Sequence, residues 1–158
     1  MGMSKAKRQM PAATGRVGVA HGEAGREPAS DEARKAQHDF KARIRQLTRR
    51  SGGRSMEQVV QRLRPYLLGW KAYFGLAQTP RVWRELDEWL RHRLRAIQLK
   101  HWKRPATIYR ELKALSAKEA VARRVAVNSR RWWRNSSFLL QTVLTIAHFN
   151  RLGVPRLS

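Results

Sequence analysis

Leu63-Arg64-Pro65-Tyr66-Leu67-Leu68-Gly69-Trp70-Lys71-Ala72-Tyr73-Phe74 decides the fold class. Its large apolar residues, Leu63, Tyr66, Leu67, Trp70, Tyr73 and Phe74, recur every three or four positions, which lines one side of a helix and suits no strand. Pro65 removes a backbone donor and crowds the preceding turn, so the spacing predicts a kink there, or a restart with Pro65 in the first helical turn. Gly75 is the expected stop.

The same periodicity extends outward in both directions. Ser55 and Gln58 have capping-box spacing ahead of Val59, Val60 and Leu63, and Ser51-Gly52-Gly53-Arg54 breaks the chain before them. Upstream, Ser30 is placed to cap a helix with Asp31 and Glu32 in its first turn and Ala33, Ala36, Phe40, Ile44 and Leu47 in one stripe. Downstream, Thr79-Pro80 opens a third helix carrying Val82, Leu86, Trp89, Leu90, Leu94 and Ile97, and Lys103-Arg104-Pro105 forms a joint. A short helix over Ile108 to Leu115 follows, then a second capping box at Ser116 and Glu119 starting a helix that runs through about Val127. Asn128 to Ser137 reads as a loop, and Phe138 to Leu152 as one last apolar helix ended by Gly153 and Pro155. Nothing alternates with period two over a useful length, so the class is all-α. Met1 to Ala29 holds five glycines and no aromatic residue; such a segment cannot offset its ordering entropy and is expected to be a disordered leader.

Charge bounds the function. The 158 residues carry 34 Lys and Arg against 11 Asp and Glu, a formal net charge of +23. Self-repulsion on that scale is normally relieved by a polyanion, which makes nucleic acid the leading partner, an anionic membrane surface the second and a solubilising surface the third. From Asp39 onward 27 residues are basic and 21 of them are arginine. The guanidinium forks onto phosphates and stacks on exposed bases, which fits RNA; a GC-rich genome produces the same bias. With no cysteine there is no disulfide, thiolate metal site or cysteine nucleophile, consistent with a cytoplasmic protein. The longest apolar run, Phe138 to Phe149, is too short to span a bilayer.

Enzyme motifs are missing from the sequence: no phosphate-cradling Gly-rich loop, no paired-His zinc motif and no Tyr-x-Asp-Asp for magnesium. No catalytic residue, metal or cofactor is therefore expected. Asp87 and Glu88 stand beside Arg84 and Arg91 at ion-pair spacing rather than as an acid–base couple. Binding signals are richer. Arg84, Glu88, Arg91 and Arg95 form a stripe on the third helix, continued by Lys100, His101, Lys103 and Arg104; a solvated face complementing the helix dipole explains it equally well. Arg93 falls inside the apolar stripe, either snorkelling or ion-paired, or reaching phosphate along an inter-helix groove. The segment Asn128-Ser129-Arg130-Arg131-Trp132-Trp133-Arg134-Asn135-Ser136-Ser137 interleaves cations, amides and aromatic faces, the mix that stacks unpaired bases, although its tryptophans could equally plug a gap between helices. Trp70, Trp83, Trp89 and Trp102 are assigned mainly to the core.

These strings carry a family resemblance. The Arg49–Val60 and Leu63–Phe74 blocks, Leu86 to Arg95, Lys100 to Pro105, Trp132 to Ser136 and Phe149 to Gly153 resemble the maturase-specific domain of group II intron reverse transcriptases, over about Lys41 to Leu157. The resemblance implies a three-helix thumb-like bundle (residues 31–103) followed by a small helical X-domain-like region (104–158), behind the leader (1–30). It also implies surfaces that hold group II intron RNA and assist its splicing in a ribonucleoprotein, with DNA and a separate reverse transcriptase chain as further partners. Carried over by position, Arg49, Arg50, Arg54, Arg91, Arg93, Arg95, Lys100, Lys103, Arg104, Arg130, Arg131, Trp132 and Arg134 become the RNA-contact candidates. A Gly/Ala-rich leader stands where full family members carry fingers and palm, and no zinc-linked endonuclease follows Ser158, so polymerisation and DNA cleavage are not expected. Leu140-Gln141-Thr142-Val143-Leu144 is more apolar than the family's usual pattern. Two functions lead, a maturase-like RNA-binding module or a degenerate retroelement fragment with only non-specific nucleic-acid affinity; a general RNA or DNA chaperone, differing from the first only in specificity, is the third.

Overall fold

Helical periodicity in the sequence becomes helices throughout. The computed structural model describes residues 28–49, 53–74 and 80–158, and no strand occurs among them. The described residues form α1 (Pro28–Leu47), α2 (Met56–Phe74), α3 (Pro80–Trp102), α4 (Pro105–Ala114), α5 (Glu119–Val127), α6 (Trp132–Ser137), a 3-10 turn (Leu140–Thr142) and α7 (Ile146–Arg151). The expected leader, Arg50, Ser51, Gly52, Gly75 and Thr79 lie outside the described residues, apart from the last three leader positions, which begin α1.

α1 starts two residues before the expected Ser30 cap, with Pro28 in its first turn, where a missing N–H costs nothing. The capping box ahead of α2 forms as predicted: Ser55 N donates to Gln58 Oε1 at 3.1 Å and Gln58 N to Ser55 Oγ at 3.3 Å. Pro65 neither ends nor restarts α2, which runs continuously to Phe74. The reason is positional: Pro65 and Gln61, whose carbonyl loses its helical partner, both lie on the exposed side, where water can satisfy that oxygen. On the opposite side Val59, Val60, Leu63, Leu67 and Trp70 are buried, which holds the helix together across the defect.

An aromatic cluster fastens the first three helices together. Phe40 of α1 lies 4.4 Å from the Trp70 ring and 5.8 Å from Tyr66, and Trp70 meets the edge of Trp83 on α3 at 5.0 Å. Trp89 and Trp102 are half-buried; Lys41 and Arg45 lie over Trp89, 5.8 and 5.4 Å from its ring centre.

α3 is the axis of the molecule because it is buried on more than one side. Leu86, Leu90, Leu94 and Ile97 join the core of α1 and α2, while Asp87, Arg91 and Arg95 are buried as well. The polar trio faces the C-terminal segment. Arg95 Nε donates to Leu144 O at 2.9 Å, Arg91 Nη2 to Pro155 O at 3.2 Å and to Asp87 Oδ1 at 3.4 Å, and Leu157 N donates to the same Asp87 oxygen at 3.4 Å. From α2, Arg64 Nη1 donates to Gly153 O at 3.3 Å and Lys71 Nζ to Arg156 O at 2.9 Å. Gly153, at φ +96°, makes the turn that sends the chain back along α2 and α3, in a conformation that side-chain-bearing residues rarely adopt.

The second half departs from expectation in three places. Asn128 to Ser137 is not a loop throughout: residues 132–137 form α6, because Asn135 Nδ2 donates to Asn128 O at 2.9 Å and Ser136 and Ser137 hydroxyls close onto Trp133 O and Arg134 O. Phe138 to Leu152 is not one helix. Thr142 Oγ1 donates to Leu139 O, and Thr145 caps a new start by accepting from His148 N at 3.3 Å, so the side-chain hydroxyls divide the run into the 3-10 turn and α7. The Ser116–Glu119 capping box does not form: Ser116 sits at φ 61° and Lys118 is the N-cap, while Glu119 accepts from Tyr109 at 2.7 Å and pairs with Lys113 and Arg123.

The Asp87–Arg91 pair yields a stability prediction. Both side chains are almost fully buried, and the Nε and Nη1 of Arg91 have no protein partner. Asp87→Ala leaves a buried charge uncompensated and should cost about 3–5 kcal/mol in chemical denaturation. Asp87→Leu combined with Arg91→Met should recover most of that loss, since an under-satisfied ion pair gains little over apolar packing.

Candidate nucleic-acid interface

Three chain ends converge around the C-terminal half of α3: the end of α1, the start of α2 and the start of α6. They frame two adjoining recesses. The larger, about 460 Å3, is lined by Arg49, Arg54, Lys100, His101 and Lys103 with Thr48, Gly53, Val59 and Ile97. The smaller, about 320 Å3, shares Thr48, Arg49, Ile97 and Lys100 and adds Arg93, Ala96, Trp132 and Trp133. Residues from α1, α3 and α6 that are distant in sequence thus share one cationic groove with an aromatic wall.

Each side chain is held by an identifiable contact. Thr48 Oγ1 caps the end of α1 by donating to Ile44 O at 2.6 Å and accepts from Arg93 Nε at 2.6 Å. That bond anchors the half-buried Arg93 in the groove between α1 and α3. Lys100 Nζ lies 3.2 Å from the centre of the Trp132 ring, a cation–π contact. Trp133 stacks on His92 of α3 with ring centres 4.0 Å apart and an interplanar angle of 24°, and His92 Nε2 is 2.9 Å from Trp133 O. Lys103 adopts φ 54° at the α3–α4 joint, which turns the chain sharply between the two helices.

Of the sequence candidates, Arg49, Arg54, Arg93, Lys100, Lys103 and Trp132 are brought together here. Arg104, Arg130, Arg131 and Arg134 are exposed nearby in sequence but line neither recess, and Arg50 lies outside the described residues. Among the described residues, Arg49, Arg54, Lys100, Lys103, Arg104, Arg130, Arg131 and Arg134 form no ion pair. Arg91 and Arg95 must be withdrawn from the contact set. They are 1% and 7% exposed and their guanidinium groups bind main-chain carbonyls of the C-terminal segment. Burial pushes both guanidinium groups below their ordinary range, opposed at Arg91 by the charge of Asp87. Of the original stripe Arg84 and Glu88 are exposed, and neither is in an ion pair among the described residues; of the expected pairing the Asp87–Arg91 contact forms.

Two contributors were not singled out by the sequence: Thr48 and His92. Their roles depend on which turns of α1, α3 and α6 face each other, and no local spacing encodes that. No group of three or more His, Cys, Asp or Glu side chains able to hold a metal occurs among the described residues, and no helix there is long and apolar enough to cross a membrane.

An all-helical, arginine-rich chain with a cationic, tryptophan-bordered groove defines a class of basic helical modules. More particularly, the family model described as group II intron, maturase-specific domain matches residues 37–116, half of the chain, and the protein belongs to that family. The match runs from the second turn of the α1 stripe through α4 and takes in Arg49, Arg54, Arg93, Lys100, Lys103 and Arg104; α6, with Trp132 and Trp133, lies beyond it. No curated protein matches the chain.

Two histidines give the fold a pH dependence. Burial lowers the pKa of His101, with Glu57 opposing and Lys103 reinforcing, and burial followed by Arg151 lowers that of His148. Below the ordinary histidine value of about 6.5 the unfolded chain binds protons that the folded one resists, so stability falls as pH falls. Thermal melts should show a lower Tm at pH 5.5 than at pH 7.5, and His101→Gln with His148→Gln should flatten that difference.

Proposed function

We propose that this protein is a non-catalytic, RNA-binding maturase module that grips structured group II intron RNA and assists its splicing. The observation that carries this is the gathering of Arg49, Arg54, Lys100 and Lys103, none of them in an ion pair among the described residues, around one groove of a maturase-specific domain. Unneutralised cations held this close repel one another, and phosphates relieve that repulsion while releasing counterions. Arg93 and Trp132 border the groove, and Arg104, Arg130, Arg131 and Arg134 extend its positive field. The sequence supplies no acidic pair for magnesium, so the function assigned to these residues is binding and not nucleotidyl transfer. The thumb-like and X-domain-like regions, residues 31–103 and 104–158, then act together, since α3 packs against both α4 and α6.

A second function is favoured by a different feature. Leu68 and Tyr73 on α2 are 46% and 81% exposed, apolar surface that a separate reverse transcriptase chain would cover if this were a retroelement fragment. Sedimentation without RNA discriminates the two: the module is a stable monomer, whereas the fragment self-associates as concentration rises.

The decisive assay is competition at physiological salt between a folded group II intron and an unrelated structured RNA of equal length. Clear preference for the intron is expected; equal binding would leave only non-specific affinity. Replacing Arg49, Arg54, Lys100 and Lys103 with Gln should reduce the slope of log K against log salt by about 3, for four lost phosphate contacts. Replacing Arg130, Arg131 and Arg134 together should weaken RNA binding without changing the melting temperature.

A further inference from the structure

The smaller recess has properties that phosphate binding does not require. At about 320 Å3 it is at the low end for small-molecule sites and suits one planar group rather than a large ligand. It is lined by Trp132 and Trp133 together with Arg49, Arg93 and Lys100. The two tryptophans are not equivalent. Lys100 already occupies a position over the Trp132 ring. Trp133 is 41% exposed and lines the recess, with the His92 ring stacked on it at 24° and the Trp132 ring edge-on to it at 5.8 Å. A tryptophan left this exposed is costly unless something covers it, and this one is fixed rather than loose. The His92 stack and the 2.9 Å contact between His92 Nε2 and Trp133 O hold it on both ring and backbone.

We infer that this recess takes one unpaired nucleobase of the bound RNA, with Trp133 as the stacking wall and Arg49 and Lys100 gripping the flanking phosphates. The inference rests on the RNA-binding function proposed above and adds the class of RNA element recognised: a bulged or single-stranded nucleotide beside a helix, not continuous duplex. In an A-form duplex the base faces are buried in the stack and only backbone and shallow-groove edges are offered, for which an aromatic wall is of no use. An unpaired base brings a free π-face, and stacking on an aromatic side chain is tolerant of base identity. The neighbouring larger recess, with Arg54, His101 and Lys103, continues the cationic track away from Trp133, so the backbone on one side of the extruded base has a path to follow. His92 is a positioning residue in this arrangement, acting through the ring it supports.

The test compares two probes on the full chain: a short RNA duplex carrying one unpaired adenosine, and the same duplex fully paired. The wild type should bind the bulged RNA more tightly. Trp133→Ala should weaken binding of the bulged RNA by about 5- to 150-fold. It should leave affinity for the paired duplex, and the salt slope for both, unchanged. Trp133→Phe should keep most of the preference, and Phe138→Ala, at an aromatic residue 74% exposed elsewhere, should change neither affinity. Equal wild-type affinity for the two RNAs, or equal loss on both with Trp133→Ala, overturns the base recess while leaving RNA binding intact. Failure to bind either RNA overturns the RNA-binding function itself.

Discussion

The architecture depends on the way α3 spends its arginines. A helix buried on one side by α1 and α2 would ordinarily turn its charges to water. Here Asp87, Arg91 and Arg95 turn inward instead, and the C-terminal segment folds over them to supply carbonyl oxygens and one amide. Five guanidinium N–H groups can serve several acceptors in a fixed plane, whereas a lysine offers a point charge, and this geometry is what lets one helix tie down strands of irregular backbone. Those bonds join the ties from Arg64 and Lys71 and the burial of Val154 and Leu157 in holding residues 153–157 along α2 and α3.

Arginine therefore has two uses in this protein, distinguished by burial and not by sequence. Arg91 and Arg95 are structural; Arg93, between them, reaches Thr48 in the groove; Arg49 and Arg54 have no acidic partner among the described residues. The net charge is correspondingly a poor measure of how many cations face a partner. The groove gains its character from position: chain ends of three helices meet there, and helix ends are where short polar and glycine-bearing segments replace apolar ones.

Much of this was legible in the sequence wherever the signal was local. The α2 stripe, the Ser55–Gln58 box and the all-α class follow from spacing alone, and the Lys103–Pro105 joint from punctuation. Family membership was carried by the strings around Leu63 to Phe74 and Leu86 to Arg95. What was not legible depends on distant partners. The Arg84–Glu88–Arg91–Arg95 stripe reads as a surface because nothing near it in sequence announces that Leu144 and Pro155 will cover it. Phe138 to Leu152 reads as a helix because hydropathy outweighs two threonines whose hydroxyls then redirect the backbone. Ser116 and Glu119 have the spacing of a box, yet a tyrosine ten residues before Glu119 offers its carboxylate a better bond.

The C-terminal segment is recognised through its main chain: Arg64 binds the carbonyl of Gly153, Arg91 that of Pro155 and Lys71 that of Arg156. Every residue type has that carbonyl. Mutational drift at positions 155 and 156 can therefore alter their side chains freely while the clasp persists, and the constraint falls on Gly153 for its turn and on Val154 and Leu157 for their burial. Keeping this end folded thus rests on three cations in α2 and α3 more than on the identity of the side chains they hold.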